Sequence, residues 1–91
     1  MVTTEALVRD FIVRQFRVRN PAGLADDTLL LDEGIVDSVG MLALIMFLES
    51  EFGITVDNPE IMPENLGSIS RIAAFVVGKK QGAASDGAAQ S

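Results

Sequence analysis

Four helical segments and no strand are what this sequence predicts: an all-α fold around one core. Three observations carry that prediction. Apolar residues recur at helical spacing in three long stretches, strand-like alternation is absent, and Gly or Pro stands where each stretch has to end. The chain has 91 residues, which makes one domain near the lower end of what folds without disulfides or metal.

The first helix is expected from Thr3 to about Arg17. Leu7, Val8, Phe11, Ile12 and Phe16 share a face, Thr3 suits the N-cap, and Val2 is placed to staple onto Leu7. Glu5 with Arg9 and Asp10 with Arg14 are i,i+4 pairs, each contributing about 0.2–0.5 kcal/mol. Asn20-Pro21-Ala22-Gly23 ends the run. Residues 20–37 then form a long connection, in which Leu29, Leu30, Leu31 and Ile35 interrupt five acids and are expected to pin the loop to the core. The acids do not follow the spacing of an EF-hand, so solvated loop charge is the simpler reading.

A second helix is expected from Ser38 to Phe52, with Asp37 as N-cap and Gly53 in the left-handed position that stops it. Ile54 and Val56 return to the core. Residues 58–66 allow only a short, irregular helical piece, because Pro63 interrupts anything longer. Ser68 is the expected cap of the last helix, with Ile69, Ile72, Ala73 and Val76 on one face and Gly78 at its end. From Lys80 the chain is Gly, Ala, Ser and Gln without periodicity, which divides it into a domain of residues 1–79 and a disordered tail of 80–91.

Composition excludes several functions. The net charge is -6 with only seven basic residues, too few for a phosphate-binding stripe on nucleic acid. There is no Cys and no His, which removes disulfides, thiolate metal sites and the commonest zinc ligand. The N-terminus lacks a basic segment followed by an apolar one, and the most apolar run, Val39 to Leu48, is too short to span a bilayer. A soluble, cytoplasmic, monomeric protein that binds neither membrane nor nucleic acid is the expectation.

Ser38 then draws the eye. It is a hydroxyl at a helix N-terminus, closing the stretch Leu31-Asp32-Glu33-Gly34-Ile35-Val36-Asp37, with no His or Cys anywhere to build a dyad or triad. Such a serine suits a residue on which another enzyme acts. The helix it opens has two apolar stripes. Met41, Leu44, Ile45, Leu48 and Phe52 form one; Val39, Leu42, Ala43 and Met46 form the other, with Phe47 beside it. A small domain has difficulty burying both, so the second stripe is expected to be partly exposed for docking, with Met46 adaptable to differing surfaces. Complete burial of the helix is the blander alternative.

The segment from Gly34-Ile35-Val36-Asp37-Ser38 through Glu49-Ser50-Glu51-Phe52-Gly53-Ile54 resembles the acyl and peptidyl carrier proteins, and the likeness in helix pattern runs from about residue 3 to 78. The resemblance implies a four-helix bundle with a short third helix, and no enzymatic activity. It implies that Ser38 receives covalent 4′-phosphopantetheine from a phosphopantetheinyl transferase. The imported thiol then carries acyl or aminoacyl thioesters to activating ligases or synthases. Asp37 matches a residue that the transferase recognises, beside its reading as an N-cap. Gly40 and Ala43 stand where fatty-acid carriers are typically acidic, although Glu49 remains. Partner binding is therefore expected to rest on Val39, Leu42, Ala43, Met46 and Glu49, more on apolar contact than on charge. Pro63-Glu64-Asn65 adds a likeness to free-standing carriers that serve adenylating ligases.

Two other readings compete. An unmodified helical adaptor would use only the exposed stripe. A small hydrolase would use Ser38 as nucleophile, but Val36 stands where a nucleophile elbow requires Gly, and no His is present. The cargo and its pathway are not written in these residues.

Overall fold

The computed structural model describes the backbone of residues 3–90 and the side chains of residues 3–81. Four α-helices follow one another: α1 (Thr4–Gln15), α2 (Ser38–Phe52), α3 (Pro63–Leu66) and α4 (Ile69–Gln90), with 3₁₀ turns at Pro21–Gly23 and Asn58–Glu60. The fold is the all-α, short-third-helix arrangement that the sequence predicts. Among the described residues no helix is long and apolar enough to cross a membrane.

Helix α1 starts where the residues require, with the Ala6 N–H donating to Thr3 Oγ1 at 3.1 Å. The proposed Val2 staple lies outside the described residues. The helix ends at Gln15, short of the expected Arg17, because Arg17 itself takes a left-handed conformation with φ 51°. Arg14 pairs with Asp10 at 3.3 Å as anticipated. Arg9 does not pair with Glu5. Its guanidinium reaches across to the long connection instead, donating to the Leu24 carbonyl and to Asp26 Oδ1. A tertiary tie to a backbone carbonyl and a carboxylate outcompetes a helix-surface pair worth only a few tenths of a kcal/mol.

The long connection is pinned, but by fewer side chains than expected. Leu24, Leu30 and Val36 are buried, whereas Leu29 and Leu31 are exposed and Ile35 is half-buried. Leu30 is the fixed point. Its side chain is fully enclosed, its N–H donates to the Gly67 carbonyl at 2.9 Å, and its carbonyl accepts from the N–H groups of Ile35 and Val36 at 2.9 and 3.1 Å. One residue cannot bury three consecutive leucines along an irregular turn, so the neighbours face solvent. A further clasp joins the loop to the start of α4, where the Ser70 N–H donates to the Asp26 carbonyl at 2.9 Å.

Helix α2 spans the predicted residues and ends at Gly53, whose φ of 66° places it in the left-handed region that glycine adopts without strain. Ile54 and Val56 are buried beyond it. Pro63 opens α3 at its first turn, where its missing N–H costs nothing, and so acts as a start signal here. Helix α3 packs chiefly on α4. Ser68 caps α4, with its hydroxyl accepting from the Arg71 N–H at 3.3 Å, and Ile69, Ile72, Ala73 and Val76 are buried as a face. The helix does not stop at Gly78. Its backbone continues to Gln90 through Lys, Gln and Ala, which favour helix, although Gly78, Gly82 and Gly87 each cost about 1 kcal/mol.

Lys79 ties α4 to the segment before α3. Its Nζ lies 2.9 and 3.1 Å from the two carboxylate oxygens of Glu60 and 5.9 Å above the Phe75 ring. Glu60 also accepts the Asp57 N–H at 3.0 Å. That backbone donor first, and Lys79 second, hold the Glu60 carboxyl below its ordinary value of 4.5. A depressed carboxylate adds stability that is present above the unfolded value and is lost as pH falls through the folded one. Glu60→Gln should therefore lower the melting temperature at neutral pH, and the two proteins should converge as the pH drops below 4.5. Leu30→Ala should cost about 2–5 kcal/mol in urea unfolding, as expected for an enclosed leucine.

Candidate functional site

Asp37 and Ser38 stand where the pinned loop becomes a helix. Asp37 Oδ1 accepts the Gly40 N–H at 2.6 Å, and its carbonyl accepts the Met41 N–H at 2.8 Å. The carboxylate is therefore the N-cap that the sequence indicates. Ser38, the first residue of α2, is exposed. Among the described residues nothing holds its hydroxyl. At the start of α2 the N–H groups of Ser38 and Val39 lack intrahelical acceptors, and the positive end of the helix dipole faces outward. An exposed hydroxyl at such a point tolerates a covalently attached anion, which the helix dipole favours by about 0.3–1 kcal/mol and the neighbouring Asp37 carboxylate opposes by like-charge repulsion.

The two stripes of α2 separate as their spacing implies. Met41, Leu44, Ile45 and Leu48 are buried, while Val39, Leu42 and Met46 are 75%, 61% and 69% exposed. Complete burial is thus not what α2 adopts. Ala43 and Phe47 are half-buried, and the Phe47 ring stacks on Phe11 with centroids 4.1 Å apart. Glu49 is engaged within the fold: its Oε2 accepts the Val56 N–H at 2.9 Å and steadies the chain after α2.

Gly40 has a packing reason. A Cβ there would lie 2.5 Å from Cε1 of Phe16, the C-cap residue of α1, so that ring takes the space a side chain would need. Its lack of an acidic side chain, read from the sequence as a departure in docking charge, is equally a consequence of that contact.

An apolar cavity of about 280 Å³ opens beside Ser38, between α2, the loop and the segment leading into α3. Leu31, Met41, Leu42, Ile45, Ile61 and Met62 contribute to its walls, together with Ser38. The sequence reading placed Leu31 in the core and passed over Ile61 and Met62. The available signal was local: Ile61-Met62 is an apolar step within a run that is otherwise Asp, Asn, Pro and Glu. A second groove, lined by Phe11, Ala43, Met46 and Phe47, lies on the α1 side of the exposed ridge.

Residues 6–76 match the family described as phosphopantetheine attachment site. The chain belongs to that carrier-protein family. It is 35% identical over 69 residues to the acyl carrier protein of Campylobacter hominis, covering 76% of this chain and 84% of that protein. It is 33% identical over 66 residues to the D-alanyl carrier protein of Streptococcus suis, covering 72% and 82%. Among solved structures, the apo form of the peptidyl carrier protein KstB-PCP shares 42% identity with a TM-score of 0.64, over 79% of this chain and 80% of that one. Carrier proteins of this family are not enzymes, and they hold a covalently attached 4′-phosphopantetheine. They work with synthetases, ligases and the transferases that load the group.

If the Phe16 contact sets residue 40, Gly40→Ala should destabilise the carrier by about 1–3 kcal/mol, although alanine is the better helix former. Phe16→Leu in the same chain should recover part of that loss, measured as a coupling energy in a denaturation cycle.

Proposed function

We propose that this chain is a free-standing acyl or aminoacyl carrier, modified on Ser38, that presents thioester-bound intermediates to partner enzymes in fatty-acid, polyketide or nonribosomal-peptide-type synthesis. The observation that carries this is the exposed, unengaged hydroxyl of Ser38 at the start of α2, within a chain whose residues 6–76 match the attachment family. The Ser38 hydroxyl attacks the β-phosphorus of coenzyme A, forming one O–P bond and releasing adenosine 3′,5′-bisphosphate. The chain has no His, and Asp37 is committed to the Gly40 N–H, so the proton acceptor comes from the transferase. When attached, the group supplies the thiol that this Cys-free chain lacks.

Asp37 serves this reading twice, as the cap that fixes the direction of Ser38 and as a carboxylate exposed to the transferase. The ridge of Val39, Leu42 and Met46, with Ala43 and Glu49 at its margins, is the partner face. Residues 1–79 constitute the working carrier domain, acting as a monomer in the cytoplasm, and 80–91 are its C-terminal tail. The adaptor reading shares the exposed ridge but gives no use to the serine.

Intact mass after incubation with coenzyme A, magnesium and a broad-specificity transferase should rise by one phosphopantetheinyl group. Ser38→Ala should gain none while keeping the same helical content and unfolding midpoint. An unmodified wild type that is fully folded would overturn this reading in favour of the adaptor.

A further inference from the structure

The cavity beside Ser38 and its rim make different demands on an occupant. Among the described residues its walls offer no ionisable side chain, and Ser38 is the only polar residue that lines them. A space of about 280 Å³ therefore suits a branched aliphatic or aromatic group. The rim is apolar as well: Leu31, Leu42, Ile61 and Met62 are 45%, 61%, 37% and 40% exposed. A carried group folded back into the cavity would fill the interior and leave that rim in water. A protein surface seated over the cavity covers both.

Charge points the same way. From Ser38 to Leu48, α2 has no ionisable side chain, although the chain as a whole carries a net charge of -6. The ground beside the attachment point is a neutral island within an acidic protein. Its anatomy, a central apolar pocket with acidic residues such as Asp37 and Glu64 outside it, is that of a protein–protein hot spot. Any enzyme that reaches the Ser38 hydroxyl must lie over this ground.

We infer that the cavity is a socket for one apolar side chain projecting from the enzyme that modifies Ser38. This rests on the carrier reading. Docking is then governed by the filling of the socket, with little contribution from long-range charge.

Two variants test it in the full chain. Ile45→Phe fills the cavity from its floor, and Met62→Gln makes the rim polar at an exposed position with little bearing on the fold. Initial rates of transfer from coenzyme A by a broad-specificity transferase give KM and kcat for each. Both variants should raise KM by about tenfold with kcat little changed, as when a buried contact is lost from docking alone. Wild-type KM should change less than about twofold between low and high salt. An unchanged KM in Met62→Gln and in a folded Ile45→Phe overturns the socket while leaving the carrier reading intact. A steep salt dependence overturns it too. So do amide shifts at residues 61–66 that appear only when an octanoyl group is loaded on the modified protein, since the cavity then holds the cargo. A wild type that accepts no group at all refutes the carrier reading itself.

Discussion

Leu30 is the constraint on which the placement of the site depends. Between Leu24 and Ser38 the chain has no helix, and an irregular segment of that length holds a shape only if something inside it is fixed. Leu30 does so in three directions: its side chain is enclosed, its N–H is tied to Gly67 ahead of α4, and its carbonyl gathers the N–H groups of Ile35 and Val36. The last two bonds turn the chain into Asp37, so the direction in which α2 departs is set before α2 begins. Arg9 and Ser70 add ties from α1 and α4 to Leu24 and Asp26. The turn that leads into Ser38 is thus tied to elements of all three long helices, although Ser38 belongs to only one.

Much of this was legible in the sequence where the signal was local. Caps announce themselves by residue type, and Thr3, Asp37, Gly53 and Ser68 all act where their chemistry placed them. Apolar periodicity separated the two stripes of α2 correctly, because burial follows helical angle. What was not legible depends on partners far along the chain. Arg9 had a plausible partner four residues away and a better one across the fold at Asp26. Three adjacent leucines look equivalent until a turn decides that only Leu30 points inward. Gly78 resembled a terminus, but a glycine interrupts a helix only when the residues beyond it have a better conformation to adopt.

The cavity was invisible in the sequence for the same reason. Its walls come from the loop, from α2 and from the approach to α3, and each wall residue alone reads as ordinary core. The outer wall depends on a short segment that packs on α4 and is fastened there by Lys79 and Glu60. Stability and exposure are thereby divided within one helix: the Leu44 side of α2 secures the bundle, and the Leu42 side remains available to others.

Residue 40 shows how far packing reaches into recognition. The ring of Phe16 occupies the space that a side chain at this position would need. The position is therefore silent in electrostatic terms because of the ring that fills it, whatever partners favour. Recoding this carrier for an enzyme that reads negative charge near Ser38 would have to begin just past α1, by shrinking or moving Phe16, before any acid could be written onto the start of α2.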